Sequence, residues 1–408
     1  MLLGPAFVAA IAYVDPGNVA ANLTAGAQYG YLLVWVLVAA NAMAVLVQYL
    51  SAKLGVVTGR SLPEVLADRM PRGGRIAYWL QAEVVAMATD LAEVIGGAIA
   101  LHLLFGVPLV LGGVITGVVS MVVLAVQQRR GQRVFESVIV SMLAIITVGF
   151  CAGLLFAPPD VGAVTGGLVP RLAGPDSVLL AASMLGATVM PHAIYLHSSL
   201  ARDRVRFDRR ERAREGLPSG PEGPAATRRL LTATRWDVVL ALLLAGGVNI
   251  SMLLLAAANL PGRAGTDTIQ GAHAAIGDSL GPGIAVLFGV GLLASGLAST
   301  SVGAYAGAEI MAGLLRVRVS LLTRRLVTLV PALLLLATDI SPTWLLVLSQ
   351  VVLSFGIPFA MVPLVHVTRD ARLLGEHRNS LTTQVAAWVI AGVIVTLNVA
   401  LLWLTFTG

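Results

Sequence analysis

A single cysteine, Cys151, is the only thiol in 408 residues, and only 12% of the residues are charged. One thiol makes no intramolecular disulfide and supplies no cysteine framework for a metal. No HExxH segment of the zincin type occurs, so metal-assisted hydrolysis has no motif to stand on. The first apolar stretch has no basic segment ahead of it and no clear cleavage site, so it is expected to stay on the chain. Apolar residues replace the missing charge: 57% of the chain is hydrophobic, and the mean hydropathy is +0.87.

Runs of about twenty apolar residues, the length that crosses a bilayer, recur from end to end. Eleven spans are expected: 3–27, 32–56, 75–105, 107–127, 134–157, 177–201, 236–260, 283–314, 319–339, 343–368 and 381–406. The net charge of +6 suggests nucleic acid until it is mapped. Of the 27 Lys and Arg residues, 25 fall in alternate gaps, and only Arg171 and Arg263 fall in the others. That alternation is the positive-inside rule. It predicts a multi-pass protein of the cytoplasmic (inner) membrane, N-terminus cytoplasmic and C-terminus outside, whose arginines set topology and do not read nucleic acid. The long polar insertion 202–235 carries ten arginines around a Pro/Gly/Ser-rich middle and is expected to be a flexible cytoplasmic loop.

Two polar breaks interrupt the apolar runs. Asp15-Pro16-Gly17-Asn18 lies in the first span and Met190-Pro191-His192 in the sixth. In hydrocarbon each break leaves backbone groups without helical partners, at a cost of several kcal/mol unless protein, solute or ion satisfies them. Five spans separate the breaks if the broken span itself is counted, an odd number, so the second set enters the membrane from the opposite side. This is the pattern of an inverted repeat with paired discontinuous helices, where transporters place substrate and ion. The expected fold is therefore all-α and polytopic, a single transmembrane domain. Repeat one covers about 1–157 and repeat two about 177–368, with span eleven, about 381–406, outside the pair. Spacings such as Gly113/Gly117, Gly149/Gly153 and Gly303/Gly307 are expected to mark close helix packing.

Asp15 is the sharpest single residue, because intramembrane carboxylates are costly and functional by default. It also suits the N-cap of the half-helix that begins at Pro16. Asn18 adds a side-chain oxygen, and unwinding frees carbonyls near Ala12. At the second break Ala187 loses its carbonyl partner beside Met190. Oxygen donors plus a soft thioether suit Mn²⁺, Fe²⁺ and softer ions better than Mg²⁺ or Ca²⁺; simple packing is the competing reading for Met190. The third span carries Glu83, Asp90 and Glu93 on one side. With His192 and His197 they form the residue types of a proton route. A buried network with Arg324 and Arg325 is the competing reading, and it applies to Glu83 and Glu93 more readily than to Asp90. Gln350, in the tenth span, is either a packing hydrogen bonder or a late metal ligand.

The segments AYVDPGN, AMATDLAEVIG, GATVMPHAIYLH and VLSQVVLSFGIPFA resemble, in order, those of the Nramp family of divalent-metal transporters, in its bacterial MntH branch. The resemblance spans the chain except about 203–233. It implies a LeuT-like fold and metal–proton symport. It further implies metal ligation by Asp15, Asn18 and Met190, with the carbonyls of Ala12 and Ala187 and, in some states, Gln350. Proton movement is implied for Asp90 and His192. Metal and proton are then cargo, and neither a resident cofactor nor an obligatory protein partner is expected. Members usually carry a charged segment ahead of the first span, whereas here Met1 stands barely before it. The alternative function is a sodium-coupled organic-solute carrier of the same architecture. There the first break faces a substrate carboxylate, which Asp15 would repel. A metalloenzyme or a channel fits less well.

Overall fold

The computed structural model describes residues 5–130, 132–214, 224–317 and 319–407. Among these residues the fold is entirely helical, with no strand. Helix α1 (Pro5–Ala10) tightens into a 3-10 turn (Ile11–Val14) and breaks at Asp15 before α2 (Pro16–Tyr29). Helix α3 (Val34–Thr58), the short α4 (Leu62–Arg69), α5 (Arg72–Phe105), α6 (Leu109–Arg130) and α7 (Gln132–Cys151) follow, then the turns α8 (Gly153–Phe156) and α9 (Val161–Gly166). The second break separates α10 (Pro175–Thr188) from α11 (Pro191–Arg214). The chain continues through α12 (Pro224–Asn259), α13 (Ile269–Leu280), α14 (Pro282–Leu315), α15 (Leu321–Leu336), α16 (Pro342–Arg369), α17 (Ala371–Leu374) and α18 (Leu381–Thr407).

Eight helical stretches among the described residues, α10 and α11 taken together, are long and apolar enough to cross a membrane. The other three expected spans are the broken α1–α2 pair, α6, and the 16-residue α15. Residues that face away from the bundle are apolar, with Val118, Leu243, Val327 and Trp403 exposed on α6, α12, α15 and α18. That is the surface a bilayer requires.

Packing follows a pseudo-twofold. Helix α12 lies along α1 and α2 as α3 lies along α10 and α11; α5 meets α16 as α14 meets α7. The self-related pairs α5–α14 and α6–α15 cross near the axis, α5–α14 with the broadest contact in the molecule. Five helices before the midpoint therefore mirror five after it, with α18 outside the pair. The small-residue spacings pack as expected. Gly113 and Gly117 seat Leu336 and Leu329 of α15, and Gly149 lies against the backbone of α14. Gly303 and Gly307 do something further: they make room for the Glu93 carboxylate and the Arg324 guanidinium.

The 202–235 insertion differs from expectation. Helix α11 runs through to Arg214 and α12 begins at Pro224, so most of the supposed loop is helix. Arg, Glu and Ala are strong helix formers, and Pro at a first helical position is pre-organised for the start. The Pro/Gly-rich 215–223 lies outside the described residues, as do the side chains of Arg209, Arg210 and Arg212. On this arginine-rich side, Arg202 of α11 ties three elements together. It contacts Glu64 of α4 at 2.8 Å, its neighbour Asp203 at 2.7 Å and Glu309 of α14 at 2.9 Å. Lys53, the only lysine of the chain, is buried in α3, and its Nζ donates to Asn379 Oδ1 at 2.9 Å.

Candidate metal site

The two breaks meet inside the bundle, and each follows from one missing donor. Pro16 has no N–H, so it offers the Ala12 carbonyl four residues before it no α-helical partner. Pro191 does the same to the carbonyl of Ala187. Asp15 then caps α2: its Oδ1 accepts from the Asn18 amide at 2.8 Å and from Asn18 Nδ2 at 2.7 Å. The Gly17 amide also turns to this carboxylate. With those two amides claimed by a side chain, the carbonyls of Tyr13 and Val14 lose their helical donors as well. Side chains from elsewhere replace them. Asn249 Nδ2 donates to Tyr13 O at 2.6 Å, and Ser295 Oγ to Val14 O at 2.5 Å.

Asn18 joins the breaks. Its Nδ2 donates also to Ala187 O at 2.9 Å, and its Oδ1, fully buried, has no hydrogen-bond partner. Gln350 of α16 approaches from a third side. Its Nε2 lies 3.4 Å from Asp15 Oδ2 and 3.2 Å from Ser349 Oγ, and its Oε1 is likewise buried and unpartnered. A buried polar atom left unpaired costs about 1–3 kcal/mol, and two of them beside one carboxylate are what an absent cation would satisfy. The Met190 side chain is fully buried at the second break. Asp15, Asn18 and Gln350 oxygens, the carbonyls of Ala12 and Ala187, and the Met190 sulfur are the groups at or beside the breaks that could hold a metal ion, and together they carry a single charge. Among the described residues no three His, Cys, Asp or Glu side chains gather as a metal site. A cation at the breaks would therefore have one carboxylate, Asp15, and otherwise neutral donors to meet it.

Glycines allow this closeness. A Cβ on Gly17 would stand 1.8 Å from Gln350 Nε2, one on Gly186 1.9 Å from the Gln350 carbonyl, and one on Gly96 2.1 Å from Pro16 Cβ.

The acidic face of α5 makes a second cluster. Asp90 Oδ1 lies 3.1 Å from Arg325 Nη1, and Glu93 Oε2 3.6 Å from the same atom. Arg325 is fully buried and also donates to Ser120 and Thr300. Glu83 pairs with Arg324 at 2.9 Å. The arginine network was expected for Glu83 and Glu93 more than for Asp90, yet Asp90 is the closer partner of Arg325. His192 meets α5 at Thr89, the neighbour of Asp90 in sequence, with Oγ1 and Nδ1 at 3.3 Å. His197 does not. Its Nδ1 sits 2.8 Å from Gln48 Oε1, and Gln48 Nε2 donates to Tyr13 OH at 2.6 Å, so it belongs to a chain between α11, α3 and the first break. Five residues separate the two histidines, and at 100° per residue they leave α11 on different faces. Sequence reasoning missed Gln48, Asn249 and Ser295. The first two carried a signal, as amides inside apolar spans.

A model of the Nramp family, described as natural resistance-associated macrophage protein-like, matches residues 6–404. The divalent metal cation transporter MntH of Mycobacterium tuberculosis (strain CDC 1551 / Oshkosh) is 61% identical over 408 residues, 100% of this chain and 92% of that protein. The crystal structure of a mutant of the Eremococcus coleocola manganese transporter superposes with a TM-score of 0.85 at 28% identity, over 97% of this chain and 84% of that one. The structure of Mhp1, a nucleobase-cation-symport-1 family transporter, gives 0.56 at 18% identity over 99% and 93% of the two chains, a likeness of fold alone. The five-plus-five arrangement with broken first and sixth spans is thus the LeuT-like fold.

Proposed function

The chain belongs to the Nramp family of transporters and is no enzyme, and on that footing we propose that it imports divalent transition-metal ions, Mn²⁺ and Fe²⁺ among them. Protons are the coupled ion, and access alternates across the cytoplasmic membrane. The arginine-rich side is cytoplasmic, which puts the N-terminus inside and the C-terminus outside. The observation that carries this reading is the junction of the two breaks. There Asn18 bridges Asp15 and Ala187, while Asn18 Oδ1 and Gln350 Oε1 stay unpartnered. Asp15, Asn18, Met190 and the carbonyls of Ala12 and Ala187 hold the ion, and Gln350 joins them. Thioether in place of a further oxygen favours transition metals over Ca²⁺ and Mg²⁺.

Protons travel apart from the metal, along His192, Asp90 and Glu93 beside Arg325. Glu83 continues this line, while His197 stands off it. Uptake into proteoliposomes that hold a pH-sensitive dye tests both halves. Mn²⁺ entry with internal acidification is expected, and Asp90→Asn should keep metal binding while acidification falls. Mn²⁺ entry without acidification removes the proton coupling. Alanine uptake driven by Na⁺, with no Mn²⁺ entry, would install the organic-solute carrier instead.

A further inference from the structure

Three consecutive carbonyls, Ala12, Tyr13 and Val14, lose helical donors at the first break, and they are treated differently. Ala12 O faces a proline at the position where its donor would stand. Tyr13 O is taken by Asn249 and Val14 O by Ser295, whose hydroxyl is fully buried in α14. Val14 O belongs to the same peptide unit as the nitrogen of Asp15, the charged ligand, two bonds from it.

The donor set proposed above, on which this step rests, has five oxygen-bearing groups and one sulfur. Mg²⁺ demands six near-octahedral ligands and Ca²⁺ takes six to eight, all preferably oxygen. One more carbonyl would give six oxygens. We infer that Ser295 is a specificity-determining residue: by engaging the Val14 carbonyl it withholds the sixth oxygen and keeps hard cations at a disadvantage. Met190 would then set preference by what it offers, and Ser295 by what it removes. A hydroxyl that only satisfied a buried carbonyl would, on removal, weaken every metal alike. A hydroxyl that withholds a ligand would, on removal, bring Ca²⁺ and Mg²⁺ in.

The experiment uses the full chain with Ser295→Ala, Ser295→Cys (a weaker donor of nearly the same size) and Ser295→Thr (which keeps the hydroxyl). Mn²⁺ uptake is measured in proteoliposomes against Ca²⁺ and Mg²⁺, and Ca²⁺ binding is measured by calorimetry. In Ser295→Ala, Ca²⁺ should compete better by on the order of tenfold, since ligand number tunes its affinity. Ser295→Cys should be intermediate, and Ser295→Thr should match wild type. Unchanged Ca²⁺ and Mg²⁺ competition in the alanine and cysteine variants overturns the inference. So does equal weakening of all metals. Should Ser295→Ala not fold, Ser295→Cys decides by the same readings. If the wild type itself neither binds nor carries Mn²⁺, it is the proposed function that fails.

Discussion

At the first break Pro16 deprives Ala12 of a donor, and at the second Pro191 deprives Ala187, yet the two gaps are filled by different means. The first draws in a carboxylate cap and then needs Asn249 and Ser295 to occupy the carbonyls that the cap has stranded. The second is filled sparingly. Asn18 crosses over to Ala187, Val189 carries the bend at φ −103° and ψ 65°, and Thr188 Oγ1 bonds Met184 O at 2.7 Å. A charged cap is costly in hydrocarbon and recruits two neighbours from the opposite repeat, whereas the break beside the thioether takes only Asn18 from across the pair. On the proposed reading, one fold makes a hard half-site and a soft half-site from the same backbone defect.

The largest expected effect tests the hard half. Asp15→Ala removes the only full charge at either break while leaving α2 to begin at Pro16. Mn²⁺ uptake should fall by roughly a hundredfold or more, since even outer-shell partners of a metal ligand are worth about 10- to 100-fold. Near-normal uptake by a folded Asp15→Ala protein would reduce Asp15 to a helix cap and erase the distinction between the breaks.

Next come the glycines that close the halves on α16. Gly186→Ala drives a Cβ into the Gln350 carbonyl, which is backbone, whereas Gly17→Ala meets only the end of the Gln350 side chain. Thermal unfolding in detergent should show Gly186→Ala to be the more damaging, by about 1–3 kcal/mol, the usual cost of overpacking. Equal shifts would mean that α10 and α16 separate freely.

Met190→Ala should alter selectivity more than rate. The oxygens remain, so Mn²⁺ still enters. Cd²⁺ uptake should weaken most, and millimolar Ca²⁺ or Mg²⁺ should compete where it did not before. An unaltered competition profile would make Met190 a packing residue.

The smallest effect belongs to Thr188→Val. Its hydroxyl bonds a carbonyl that the helix already serves, so denaturation should shift by no more than about 1 kcal/mol, the net worth of an ordinary hydrogen bond. Metal preference should stay as it was. A change in preference would place Thr188 beside Ser295 and make the halves alike.

The breaks were legible in the sequence because proline and aspartate stand out in an apolar run, and the odd number of spans in the first set, five with the broken one counted, implied inversion. Small-residue spacings foretold packing but not what Gly303 and Gly307 shelter, since a missing side chain does not name its guest. The extent of α11 and α12 was hidden by arginine, which marks topology and forms helix equally well. Ser295 was out of reach: a serine in a membrane helix is ordinary, and its partner lies 281 residues away. His197 misled because residue type pointed to the α5 carboxylates while helical phase turned the ring toward Gln48.

Lys53 has a wider meaning for the charge of the molecule. It is the chain's one lysine, it is buried, and the other 26 of the 27 Lys and Arg residues are arginine. Lysine acetylation removes a positive charge, while a guanidinium stays protonated at any physiological pH. The positive side of this protein therefore carries a charge that neither lysine acylation nor a physiological change of pH can switch off.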